Sequence, residues 1–316
     1  SLDALRADIS TVTGPARLDF IVEDIKELKR LLTDPRSMQV IMAGMDATWW
    51  LNDRLGAWLG EVNPADALAQ SAPGNVTSEM GLALLDVADA MRPHDEVVGF
   101  LQRIDEQRSD EQRADGHRVD DERLLDQLQA LRGGPESAAA LRSFLDAYGM
   151  RCVGEIDITR PRWSERPSLL VPLLLANIRN FAPGEGRRRF ERGLEEALAK
   201  EEDVLRRLRA LPDGDAKAAE AARQIDRLRT FAGYREYPKY GIVRRTALHR
   251  RAIMGGVGRL VAAGTLREAE DAFFLTVGEL HEAARTGRAD LGLIDRRRAE
   301  FRWHATLAPP RALTSD

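Results

Sequence analysis

A chain of 316 residues with 43% apolar and 31% charged side chains can build a sizeable folded core, which excludes disorder over most of its length. Its 47 basic and 51 acidic side chains are intermixed and leave a net charge of −4, so no global positive field draws a phosphate backbone, and nucleic acid is a poor candidate partner. The single cysteine, Cys152, excludes an intrachain disulfide and a cysteine-built metal cluster, and it suits a reducing, cytoplasmic setting.

The opening "SLDALRADIS" carries early acidic charge and no apolar run, so it does not read as a signal peptide. The chain lacks an initiating Met and closes on the turn-like "PPRALTSD", as expected of a segment excised from a longer polypeptide. Phe20 to Leu32 repeats apolar residues at helical spacing through Ile21, Ile25, Leu28, Leu31 and Leu32, and "DPRS" at 34–37 should stop that helix. A second helix is expected from about Met38 to Leu59, with Met38, Met42, Met45 and Trp49 on one stripe. "NPADALAQ" at 63–70 reads as a short helix. "SAPGNV" reads as a loop, with Asn75 or Thr77 capping a helix over 78–91.

Charge-rich helices are expected near 94–107 and 119–131, separated by the polar "SDEQRADGHR", with a shorter one from Glu136 to Tyr148. The stretch 149–168, "GMRCVGEIDITRPRWSERPS", holds two glycines and two prolines that deny it a continuous helix. Ile156 and Ile158 alternate with polar neighbours as a short extended segment would. "LLVPLLLANI" at 169–178 is half of the roughly 20 residues a membrane helix needs and contains Pro172, so it belongs inside protein. Helices are expected over 165–181, 187–211 and, after a turn at "PDGD", 216–231 running back along its predecessor. A last one should follow Pro238 and end near Ala263, where Gly264 supplies a stop. The class is all-α: an elongated multi-helix domain over 1–316, with 1–148 and 149–316 as a possible subdivision and an irregular or short extended connection near 149–168.

Catalytic signatures are easier to exclude than to find. "HEAAR" at 281–285 places Arg285 where a zinc protease helix needs its second histidine. "MGGVGRL" at 254–260 lacks the Lys and Ser/Thr of a phosphate loop and reads as close helix packing. The histidines at 94, 117, 249, 281 and 304 are scattered without ligand spacing. No metal site is expected.

Two features carry a double reading. The Met38, Met42, Met45 and Trp49 stripe is a core face on the plainer view, and an adaptable wall for a bulky apolar ligand on the functional one. In "YREYPKY" (234–240), Glu236 could neutralise Arg235, Lys239 or Arg244 in a salt-bridge cluster. Alternatively, Arg235 and Lys239, four apart, would project to one side of a helix and hold oxygen-rich groups, with Pro238 kinking or opening the helix in front of them.

Several blocks resemble the central segment of the rifampicin phosphotransferases, within the phosphoenolpyruvate-utilising dikinase group. They are "NVTSEMGLALLDVAD" (75–89), "FLDAYGMRCVGEIDITRPRWSERPSLL" (144–170), "YREYPKY", "DAFFLTVGEL" (271–280) and "PPRALTSD". The resemblance implies a helical rifamycin-binding region. In such enzymes it works with an ATP-grasp domain and a swivelling domain whose histidine ferries phosphate from ATP, with Mg2+, to an ansa-bridge hydroxyl of the drug, leaving AMP and phosphate.

Neither of those two domains is recognisable here, so this segment is expected to hold no catalytic residue and no cofactor, and to lack turnover alone. By resemblance, Arg235 and Lys239 match the basic pair that contacts the antibiotic. Met42, Met45 and Trp49 are looser candidates for its apolar wall. Arg151, Glu155, Asp157, Arg162 and Glu236 are expected to form an internal ion-pair scaffold. The implied partners are a rifamycin and the other domains of the same polypeptide. The equivalent region of a phosphoenolpyruvate synthase-like or pyruvate phosphate dikinase-like enzyme, and a stand-alone helical interaction module, are the alternatives.

Overall fold

The computed structural model describes residues 2–32, 34–111 and 119–308; His117 and the closing "PPRALTSD" fall outside them. Within these residues the chain forms fourteen α-helices and no strand, so the all-α expectation holds. The first three are α1 (Leu2–Thr11), α2 (Pro15–Leu32) and α3 (Pro35–Leu59). α2 ends at Leu32, before the "DPRS" expected to stop it, and α3 begins at Pro35, three residues before the expected Met38, because Pro35 sits at the first helical position, where its missing N–H has no intrahelical partner to lose.

A short α4 (Pro64–Leu68) leads to α5 (Val76–Met91). The Asn75 side chain accepts hydrogen bonds from Thr77 N and Ser78 N, each at 3.1 Å, so Asn75 is the cap. Then come α6 (Asp95–Glu111), α7 (Leu124–Gln129) and α8 (Gly134–Tyr148). The helix expected over 119–131 is shortened to six residues. Asp120 accepts from Arg123 N, and Asp121 accepts from Ser168 N at 2.8 Å, so both carboxylates hold the preceding backbone in turns.

Residues 149–166 form successive turns. The extended reading at 156–158 is corrected: Asp157 N donates to Gly154 O, and the Asp157 carboxylate accepts from both Thr159 N and Thr159 Oγ1, closing a turn where alternation suggested a strand. A 3-10 turn at Pro167–Leu170 leads into α9 (Val171–Asn180), followed by α10 (Glu185–Arg209) and α11 (Gly214–Phe231), which packs on α10. A second 3-10 turn, Ala232–Glu236, runs directly into α12 (Tyr237–Ala262). Pro238 therefore lies in a first turn, the one helical location where its ring is harmless. Gly264 takes φ +73° beyond the end of α12. A third 3-10 turn, Ala269–Phe274, precedes α13 (Val277–Thr286) and α14 (Leu291–Ala305).

The chain divides into two compact units, one spanning Lys29–Arg244 and the other made of the stretches up to Leu28 and from Arg245 onward. Residues 148 and 149 both lie inside the first unit. That unit has two cores. One gathers α5 to α9 around Met91, Leu101, Leu128 and Leu174, and the other gathers α3, α4, α10 and α11 around Leu51, Leu55, Val204 and Ile225. Each fully buried leucine contributes about 1.5–3 kcal/mol relative to exposure. The other unit has its own core around Leu18, Val257, Leu280 and Ile294. There Asp24 binds Arg245 through two 2.7 Å hydrogen bonds and His249 Nε2 through a third of 2.7 Å.

Candidate functional site: a cavity between α3 and the 232–236 turn

Within Lys29–Arg244, α3 packs closely along α11 and the 3-10 turn that follows it. Gly44 permits this approach, and Gly233 permits a second one, of the turn to the loop before α5. A Cβ on Gly44 would sit 3.2 Å from the Phe231 carbonyl carbon and oxygen, and one on Gly233 would sit 2.4 Å from the Gly74 carbonyl.

The cavity beside this contact has a volume of about 570 Å³. Its lining includes apolar side chains, Ile41, Met45 and Trp49 of α3, Phe190 of α10 and Leu228 of α11. It also includes polar ones: Asp66 of α4, Ser71, Ser78 near the start of α5, and Arg235 with Glu236 from the 3-10 turn. Ser71 adopts φ +49°, a left-handed conformation uncommon for a residue with a side chain, and such geometry often accompanies a binding site. The Arg235 side chain is 73% exposed and makes a loose ion pair with Glu236 Oε1 at 3.6 Å. It is a charged donor available to a ligand.

The methionine stripe is not a core face. Met38, Met45 and Trp49 are 44%, 36% and 56% exposed, while the buried seam of α3 is Ala47, Leu51 and Leu55. Met45 and Trp49 line the cavity, and Met42, half-buried on the same helix, does not.

Lys239 is not among the cavity residues: its Nζ pairs with Glu155 Oε1 at 3.1 Å, just beyond the change from the 3-10 turn to α12. Glu155 is already held by two 2.9 Å hydrogen bonds from Arg151. Burial alone would raise the Glu155 carboxyl, but the bonds from Arg151 and Lys239 outweigh it and hold the group below its ordinary value. Arg162, expected in the same ion-pair scaffold, finds no carboxylate for its NH1, which donates to the Glu155 backbone carbonyl at 2.8 Å and to Cys152 Sγ at 3.1 Å.

Spacing in threes aligns side chains across a 3-10 turn, and Phe231, Tyr234, Tyr237 and Tyr240 form a continuous ladder of rings. Successive centroids are 6.0, 5.1 and 6.3 Å apart. Arg244 extends it with its guanidinium 5.6 Å from the Tyr240 ring.

The remaining histidines of the described residues make local contacts. His94 lies 3.9 Å from Glu136, His281 lies 3.3 Å from Asp19, and His304 packs on Trp303. In "HEAAR", Arg285 pairs with Glu282. "MGGVGRL" is helical within α12. Among the described residues no group of three or more His, Cys, Asp or Glu side chains could hold a metal ion, and no helix is long and apolar enough to cross a membrane. Sequence reasoning missed Asp66, Ser71 and Phe190 in the cavity, since segments up to about 120 residues away from one another carry no shared period. The only available signals were the glycines at 44, 74 and 233.

The family profile described as "Rifampicin phosphotransferase fourth domain" matches residues 36–236, a span that contains every cavity residue named above. Over all 316 residues the chain is 56% identical to a rifampicin phosphotransferase of Streptomyces sviceus, 47% to one of Bacillus subtilis and 45% to one of Bacillus cereus. It spans 35% of the length of each of these relatives.

Proposed function

Because the chain belongs to the rifampicin phosphotransferase family, we propose that it is the part of such an enzyme that binds the rifamycin antibiotic, in the cavity between α3 and the 232–236 turn. The observation that carries this reading is the presence of both kinds of group in the lining of one cavity of about 570 Å³: Met45 and Trp49 as apolar surface and Arg235 as a charged donor. A polyketide ansamycin has both an apolar aromatic body and a hydroxylated bridge. Trp49 and Met45 would bury the first, and Arg235 would donate charge-assisted hydrogen bonds to oxygens of the second.

In the full-length enzyme the reaction would convert ATP, rifampicin and water into AMP, phosphate and phosphorylated rifampicin. It would run through a phosphohistidine carrier with ATP and Mg2+ held by other domains of the same polypeptide, in the cytoplasm, and would confer resistance. This segment's share is to bind and orient the drug and to shield the reacting hydroxyl from water with its apolar wall. On its own it turns nothing over.

A phosphoenolpyruvate- or pyruvate-handling relative is less well supported. A small anion calls for a compact, strongly cationic pocket, whereas this cavity is large and sets Asp66 and Glu236 beside its one arginine. Titration of the chain with rifampicin, followed by tryptophan quenching and calorimetry, tests the assignment. Saturable one-to-one binding weakened by Arg235→Ala supports it, and no binding, or binding indifferent to Arg235→Ala and Trp49→Ala, overturns it.

A further inference from the structure

The turn segment 149–166 buries an arrangement that antibiotic binding does not use. Arg162 is 1% exposed, and its NH1 contacts Cys152 Sγ at 3.1 Å. Its Nε and NH2 are buried with no hydrogen-bond partner. A guanidinium against a sulfur favours the thiolate over the thiol, because the charged form gains a charge-assisted bond in a medium of low dielectric. The surrounding charges do not cancel this. Arg151 and Lys239 add positive charge, and the Glu155 carboxylate is bound to those two. Asp157 also feels Arg162 and is engaged by Thr159, and the Glu165 carboxylate accepts from the Arg162 backbone N at 3.3 Å.

We propose that Cys152 is held as a thiolate by Arg162 and is a site of oxidation by hydrogen peroxide to a sulfenate. The step balances as thiolate plus hydrogen peroxide giving sulfenate plus water. An S–O bond forms as the O–O bond breaks, the sulfur loses two electrons, and the departing hydroxide takes up the sulfenic proton. The two partnerless donors of Arg162 supply what the product needs, since the added oxygen is an acceptor that the thiolate lacks. Access is short. Cys152 is 7% exposed, and the next residue, Val153, is 80% exposed in a surface turn with Gly154 at φ +74°.

Cys152 is the only cysteine, so every thiol signal reports on it. The test measures the rate of iodoacetamide alkylation of the native chain from about pH 6 to pH 8, and the trapping of the peroxide product by dimedone, read by intact mass. The expected result is a rate nearly independent of pH across that range and about tenfold above that of glutathione at pH 7, with one dimedone adduct per chain. Arg162→Met, if folded by circular dichroism, should restore the pH slope of an ordinary thiol, about tenfold per unit. That slope in the unaltered chain would overturn the proposal. So would reaction only in urea, absence of the adduct, or a flat profile that survives in Arg162→Met.

Discussion

Lys239 Nζ lies 3.1 Å from Glu155 Oε1, the oxygen that also accepts a 2.9 Å hydrogen bond from Arg151 NH2. One carboxylate thus serves a buried cation and a half-exposed one, and the two are not equal in consequence. Replacing Glu155 by Gln strands the buried Arg151 guanidinium, so unfolding in urea should show a loss of roughly 3–5 kcal/mol. Lys239→Ala leaves the Arg151 pair intact and removes a solvent-screened contact, so its loss should stay within about 1 kcal/mol. Equal losses in the two variants would show that Glu155 is not anchored by Arg151.

Arg235→Ala and Trp49→Ala probe the charged and the apolar lining of the cavity. Both side chains are largely exposed, so the urea midpoint should hardly move. Loss of a charged donor worth roughly 1.5–3 kcal/mol should weaken rifampicin binding by about one to two decades. A lower melting temperature with unchanged affinity of the folded fraction would make Arg235 a partner of Glu236 and nothing more.

Gly233→Ala should damage both fold and binding. Its Cβ would fall 2.4 Å from the Gly74 carbonyl and 2.8 Å from Asn75 N, all of them backbone, so the 232–236 turn must back away. The expected loss is about 1–3 kcal/mol, with weaker rifampicin binding as Arg235 moves with its turn. Gly241→Ala in α12 meets nothing within 4 Å and should stabilise the chain by about 0.5–1 kcal/mol, which makes it the control.

Two groups outside Lys29–Arg244 set opposite ends of an acid titration. Burial pushes His249 below its ordinary 6.5, although the Asp24 contact works against the shift. The folded state therefore binds fewer protons than the unfolded one, and the stability this group contributes is complete above about pH 6.5 and declines as pH falls below it. His249 is then the neutral tautomer donating Nε2–H to Asp24. Glu279 is held down to about 2 by Arg297 and by the Thr276 backbone of the capping box, so its contribution is complete above its ordinary 4.5 and lost as pH falls toward 2. Urea midpoints followed downward from pH 8 should show both declines, and Glu279→Gln should erase only the lower one. A single decline with no component near 6.5 would contradict the His249 reading.

The helices were legible wherever one local rule decided the outcome. The Asn75 cap, the stop at Gly264 and the apolar period of α2 depend on neighbours within a turn or two. Errors arose where distant groups competed with local ones. Asp121 answers to Ser168, and that long-range bond shortens α7. The four-residue spacing of Arg235 and Lys239 carried no sign of Glu155, about eighty residues earlier, which pairs with Lys239. Trp49 and Arg235 were each singled out from the sequence. Their meeting in the lining of one cavity follows only from the packing of α3 on α11 and the turn after it.

Three of the chain's four tyrosines, 234, 237 and 240, stand in the ring ladder, and the fourth, Tyr148, is close enough to Tyr240 to feel its charge. Rings coupled at such distances in a chiral array give the chain a tyrosine signature in the near ultraviolet, on the short-wavelength side of the band shared by its five tryptophans. The turn that carries Arg235 therefore carries its own reporter, without any attached label, as ligand is added.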